Sequence, residues 1–283
     1  MNSLIQSVLH PTDFSEGSKV AFYHALGAAL IASSELTLLN ISPDRSAQWS
    51  DFPGVRETLE KWGLLTPGSP RSAVGQLGLD VKKVIGGGRG PVDGVLQHLS
   101  KRPADLIVLA THQNKGVMQW LGRSVAEPIA RRAGEMTLFI PGDNAGFVGA
   151  DGSIALSRIL VPIAQTPSPQ PALEAAARFA AGLRQKSGTF TLLHVGEPNS
   201  TPPVDRPDLP GWTWDTEVRS GDVIQTILDT AKDIDADLIV MATDGRNGFL
   251  DALRGSHSER VLRHASAPLL TVPSGSFVSE LLG

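Results

Sequence analysis

Residues 104–141 read ADLIVLATHQNKGVMQWLGRSVAEPIARRAGEMTLFIP, and residues 236–273 read ADLIVMATDGRNGFLDALRGSHSERVLRHASAPLLTVP. The two stretches align without a gap at an offset of 132, with 15 of 38 positions identical. Chance does not produce that, so the chain carries an internal duplication. The shared positions make physical sense. Leu106-Ile107-Val108 and Leu238-Ile239-Val240 are short apolar runs of the kind that form buried strands. Arg131 and Arg263 fall in the last turns of the helices expected next, where a cation suits the helix dipole.

Working outward, the starts of the two halves match more loosely. SVLHPTDFSEGSKVAFYHALGAALIASSELTLLNI parallels SRILVPIAQTPSPQPALEAAARFAAGLRQKSGTFTLLHV. Each reads as a strand, a loop, an Ala-rich helix and a second strand, with Ser15 as N-cap of the first helix. Third strands are expected near Val81–Ile85 and Thr213–Val218, each followed by a helix, Val92–Ser100 and Val223–Lys232. Strands alternating with helices predict a doubly wound α/β fold with a parallel sheet in each half. The stretch 142–157, GDNAGFVGADGSIALS, is rich in Gly, Asp, Asn and Ser and predicts a linker. The expected organisation is one domain at 1–141, a linker at 142–157 and a second domain at 158–283. Between the second and third strands each half carries an insertion. The first holds Trp49 and Trp62 with a short helix near Val55–Leu65, and the second is too proline-rich for a regular helix.

Composition narrows the functional classes. The chain has 283 residues, 41% of them hydrophobic but only 5% aromatic, so its cores must be aliphatic. A net charge of -4 leaves no basic footprint for nucleic acid. Cysteine is absent, which excludes disulfides, thiolate metal sites and cysteine nucleophiles. The N-terminal stretch meets His10, Pro11 and Asp13 too early for a signal peptide, and no apolar run approaches the roughly 18 residues of a membrane span. The expectation is a cytoplasmic protein with no membrane and no nucleic-acid partner.

In a doubly wound sheet, ligands bind at the carboxyl ends of the strands where the strand order reverses. Two loops therefore matter in each half, the one after the first strand and the one after the fourth. In the second half the latter reads Ala242-Thr243-Asp244-Gly245, nine residues, then Gly255-Ser256. Small residues let the backbone approach phosphates, and Gly255-Ser256 opens a helix whose free amides can bind an anion. This pattern resembles the universal stress protein family, whose nucleotide-binding members carry Gly, two residues, Gly, nine residues, then Gly-Ser or Gly-Thr after the fourth strand. Ala242 replaces the first glycine. The resemblance covers nearly the whole chain and implies sheets of strand order 3-2-1-4-5. It also implies adenine-nucleotide binding, ATP or a relative, and a regulatory role in stress response rather than rapid turnover. It places Ala242, Gly245, Arg246, Gly255 and Ser256 around the phosphates, with His257 next on the turn, either touching a phosphate or facing solvent.

The first half differs. Gln113 stands at the place of Gly245 and Arg123 at the place of Gly255, with Ser124 retained, so the amide cradle is degraded there. The loop after the first strand shows the opposite asymmetry. His10-Pro11-Thr12-Asp13-Phe14-Ser15 resembles the family's opening motif, in which the aspartate lies beside adenine and ribose, whereas Ala164 occupies that place in the second half. The plain alternative for Asp13 is a capping or turn residue beside the first helix. Gly86-Gly87-Gly88-Arg89-Gly90-Pro91 reads as a loop and helix start, since Gly94 falls one position late for a dinucleotide fingerprint. His10, His112 and His194 fall at strand ends, where hydrogen-bonded structural histidines are usual, and no metal is expected.

There is no P-loop lysine and no dedicated base for attacking water. The competing readings are an interaction or scaffold protein that has lost nucleotide binding, and a weak nucleotide hydrolase or metal-dependent enzyme. The resemblance further implies a homo-oligomer, and a pseudo-dimer of the two halves through the fifth strands, Met136–Ile140 and Pro268–Val272.

Overall fold

The computed structural model describes residues 5–42, 46–111, 125–142, 146–183, 185–243 and 257–274. The chain divides into two compact units, Met1–Ala133 with Phe139–Ile154 and Gly134–Leu138 with Ala155–Gly283.

In the first half β1 (Ser7–Pro11), β2 (Glu35–Ile41) and β3 (Asp80–Gly86) alternate with α1 (Glu16–Ala32) and the short helices α2 (Val55–Lys61) and α3 (Ser72–Gln76). Helix α4 (Pro91–Lys101), β4 (Leu106–Thr111), α5 (Ala126–Ala133) and β5 (Met136–Pro141) follow. The strand order is β3-β2-β1-β4-β5, and the pairs β1–β2, β1–β4 and β2–β3 are parallel. The second half repeats the scheme with β6 (Arg158–Ile163), α6 (Gln170–Gly182), β7 (Gly188–Val195) and β8 (Trp212–Arg219). It continues with α7 (Val223–Asp233), β9 (Leu238–Thr243), α8 (His257–His264) and β10 (Leu269–Pro273). Its order, β8-β7-β6-β9-β10, is again 3-2-1-4-5 with parallel pairing.

The central strands are buried along nearly their whole length: Leu106, Ile107, Val108, Leu238, Ile239 and Val240 have no exposed surface. Helices on both faces account for this, because such strands can then be continuously apolar rather than alternating. The expected caps are present. Ser15 accepts from the Ser18 amide at the start of α1, and Pro91 occupies the first turn of α4 behind Gly90. Gly94, inside α4, faces β2 so closely that a Cβ there would lie 2.7 Å from Ile41, which explains this glycine as close packing.

The duplication extends to hydrogen bonds. Asp105 Oδ2 accepts from the amides of Gln6 and Ser7 and from Ser7 Oγ, at 2.8–2.9 Å. Its repeat partner Asp237 accepts from the amides of Ser157 and Arg158 and from Ser157 Oγ, at 2.8–3.1 Å. Each aspartate ties the entrance of the first strand to the entrance of the fourth. At the other end, Thr111 O accepts from the Gly142 amide and Thr243 O from the Ser274 amide, both at 2.7 Å.

The insertions and the 142–157 stretch contribute packing that periodicity does not show. Residues 146–154 fold back on the first unit, with Phe147 and Val148 buried and a bridge joining Val148 to Ile154. Both amides donate to Nε2 of the buried His24, at 3.0 and 3.1 Å, while His24 Nδ1 donates to Val20 O at 2.9 Å. The imidazole is therefore the neutral Nδ1–H tautomer, and burial pushes its pKa down from 6.5 to about 4. Trp62 donates its indole N–H to Ala150 O at 3.2 Å, adding a second fastening. In the second half Trp212 and Trp214 both pack on Phe190, with centroids at 4.5 and 4.1 Å. Those two tryptophans are structural.

Candidate functional site

The loop after β1 is built by side-chain hydrogen bonds. His10 is fully buried; its Nδ1 donates to Val108 O at 2.9 Å, and Nε2 lies 3.4 Å from Ser18 Oγ. Burial pushes its pKa down to about 4, against smaller opposing contributions from these bonds, so the ring is neutral. Ser18 Oγ donates to Thr12 Oγ1 at 2.8 Å, and the same oxygen accepts the Phe14 amide at 3.1 Å. Asn40 Nδ2 donates to Thr12 O at 2.8 Å. The result is a loop held from β4, α1 and β2 at once.

Asp13 is exposed at the tip of this loop. Its Oδ1 accepts from the Ser15 amide at 3.0 Å and from Ser15 Oγ at 2.6 Å. One of its oxygens thus serves the turn that starts α1. Phe14 adopts a left-handed backbone, φ 65°. This is an outlier for so large a residue.

The equivalent loop of the second half is wired differently. The register fixes the equivalence, because Val8 and Ile159 pair with Leu106 and Leu238. Ala164 then falls at the place of Asp13, and it is exposed. His194 Nε2 lies 2.9 Å from Ser200 Oγ, and Nδ1 lies 3.3 Å from Ile163 O. Gln165 donates to Ser200 O at 3.2 Å. The proline-rich insertion is thereby tied to the end of β6. Among the described residues no group of three metal-ligating side chains is present.

Of the phosphate-loop residues, Ala242 lies on β9 paired with Val272, and His257 opens α8. Gly245, Arg246, Gly255 and Ser256 lie outside the described residues, as do Gln113, Arg123, Ser124 and His112. The described ends still fix the frame. The segment leaves the carboxyl end of an inner strand at Thr243 and enters a helix N-terminus at His257. That is the crevice position for a ligand in this topology. Sequence reasoning overlooked the His10–Ser18–Thr12 arrangement, whose signal was a strand-end histidine followed eight residues later by a serine one turn into an Ala-rich helix.

These features define a doubly wound α/β domain duplicated in tandem. The Universal stress protein family matches the sequence over residues 5–141 and 208–273. The chain belongs to that family. The unmatched part of the second half contains β6, α6 and β7, where Ala164 and the proline-rich insertion lie. Universal stress protein MJ0577 of Methanocaldococcus jannaschii is 21% identical over 163 residues, covering 51% of this chain and all of that protein. A universal stress protein structure from Archaeoglobus fulgidus superposes with a TM-score of 0.64 at 18% identity, covering 96% of this chain and 98% of its own. A structure from Pseudomonas aeruginosa PAO1, the functionally unknown protein PA1789, gives 0.61 at 14% identity, with 96% and 95% covered. Among the described residues no helix is long and apolar enough to cross a membrane.

Proposed function

We propose that the chain is a cytoplasmic stress-response regulator that binds an adenine nucleotide, ATP or a relative, in its second half. The observation that carries this reading is the placement of the Gly245–Ser256 pattern between the end of β9 and the start of α8. A glycine-rich turn running into a helix N-terminus offers several amides and the positive end of the dipole to a phosphate chain. Ser256 adds a hydroxyl, Arg246 a cation, and Ala242 leaves room at the strand end. His257, at the first helical position, stands next to the same phosphates. Asp13 belongs to the first half, where Ser15 already engages its carboxylate. The sequence carries no P-loop lysine motif, and on this reading the nucleotide acts as a signal rather than a fuel.

A second reading, an interaction protein without nucleotide, is favoured by the exposed Ala164 at the place of an adenine-contacting carboxylate. Heat release of the purified protein followed by HPLC of the supernatant separates the two. Adenine nucleotide near one equivalent per chain supports the first, and none, with no uptake of added ATP, supports the second.

A further inference from the structure

A cavity of about 370 Å³ opens between α1 and the segment carrying α2, entirely within the first unit. This is the size of a small-molecule site. Its lining includes the aromatic side chains of Phe14, Phe22 and Tyr23. Phe22 is buried, and its ring lies 5.7 Å from that of Tyr23. Phe14 is held edge-on against Phe52 at 5.2 Å from its left-handed backbone. Backbone conformations of this kind persist only where the surroundings hold them, and they gather at ligand sites.

The rim carries Lys19, Lys61, Asp51 and Glu57. Among the described residues no ion pair joins either lysine to either of these acids. The acids are turned to their own backbone and neighbours. Asp51 accepts the Gln48 amide at 2.7 Å. Glu57 is held below the usual carboxylate range by its own backbone amide first and by Arg56, which donates to it at 2.9 Å. The ammonium groups have no comparable engagement. Among the described residues Lys19 pairs with Glu16 alone, at 3.6 Å between exposed side chains, and such pairs are weak. Lys61 has no carboxylate within ion-pair distance among the described residues. The rim thus carries two ammonium donors beside two ionised carboxylates whose hydrogen-bonding capacity is partly taken up by their own neighbours.

We propose that this cavity binds a small aromatic anion, a ring bearing a carboxylate or phosphate. The ring packs on Phe14, Phe22 and Tyr23, and Lys19 and Lys61 hold the charged end. No residue of the second-half phosphate loop takes part, so this site stands or falls independently of the nucleotide reading.

The test is NMR titration of the full ¹⁵N-labelled chain with phenyl phosphate, benzylamine and inorganic phosphate. Phenyl phosphate should saturate with shifts at Lys19, Tyr23 and Lys61. Benzylamine (same ring, opposite charge) and inorganic phosphate (same charge, no ring) should each bind at least about tenfold more weakly. The Lys19→Gln/Lys61→Gln double variant, altered only at exposed side chains, should lose about tenfold in phenyl phosphate affinity. The proposal is overturned if benzylamine binds as well as phenyl phosphate, if inorganic phosphate does, if the double variant keeps wild-type affinity, or if the shifts lie outside the cavity.

Discussion

Asp13 and Ser15 close on each other at the head of α1: the aspartate Oδ1 accepts both the serine amide, at 3.0 Å, and its hydroxyl, at 2.6 Å. Ser15 Oγ in turn accepts the Ser18 amide at 3.2 Å as the helix N-cap. Removing the carboxylate should therefore be felt first as a capping loss. Asp13→Ala is expected to lower stability by about 1 kcal/mol, the usual worth of such a cap. Urea denaturation of the two proteins measures it. An unchanged midpoint would mean that Asp13 is held there for a ligand alone.

The two buried histidines of the first unit make it sensitive to mild acid. His10 and His24 have pKa values lowered to about 4 by burial, whereas an unfolded chain protonates histidine near 6.5. The unfolded state therefore binds the extra protons first. The stability these neutral rings represent is complete above pH 6.5, declines as the pH falls towards 4, and changes no further below that. At its steepest each histidine contributes about 1.4 kcal/mol per pH unit. Between pH 6.5 and 5, where few carboxylates titrate, the urea midpoint should fall, and it should fall less steeply in His24→Gln. A flat midpoint in the wild type would contradict the burial of these rings.

His24 also fastens the 146–154 strap. His24→Ala leaves the Phe147 and Val148 amides without their acceptor, a cost of roughly 1–3 kcal/mol for each buried donor. Hydrogen exchange at those two amides should accelerate sharply, while exchange in β7 stays slow. Equal protection in wild type and variant would show that the strap holds by apolar packing alone.

The paired aspartates test the duplication energetically. Asp105→Ala removes three hydrogen bonds and Asp237→Ala the matching three plus one from the Arg158 guanidinium, and each should cost about 2 kcal/mol. Thermal denaturation of both variants measures it. A large loss for one and none for the other would show that the duplicated geometry is not energetically duplicated.

The element sequence was legible because it is written locally, whereas the strand order came only with the family resemblance. Leu106–Val108 and Leu238–Val240 announce inner strands, and Ser15 and Pro91 announce helix starts within a few residues. The strap was not legible. His24 reads as one more residue of an Ala-rich helix, and its partner Phe147 lies 123 residues away in a stretch whose glycines and aspartates spell a tether. Trp212 and Trp214 likewise gave no sign of which residue they would cover, since Phe190 is on another strand. At the candidate site the Asp13 motif was visible by resemblance. Its engagement by Ser15 is a matter of side-chain geometry that spacing does not encode. The cavity between α1 and α2 was out of reach for the same reason, because Lys19, Tyr23 and Lys61 converge only after folding.

The central claim is that the second-half phosphate loop matters more than Asp13. Phosphate cradles hold by several charge-assisted bonds, each worth roughly 1.5–3 kcal/mol, whereas the aspartate offers one or two contacts. Calorimetric titration of the full chain with ATP decides it, on the wild type, Gly255→Arg and Asp13→Ala. Gly255→Arg, which places at the loop the residue type the first half carries at Arg123, is expected to weaken binding roughly 100-fold or more, as the loss of two such bonds would. A change of less than about tenfold is expected for Asp13→Ala. Greater damage from Asp13→Ala than from Gly255→Arg would contradict the claim and make the first half the working site.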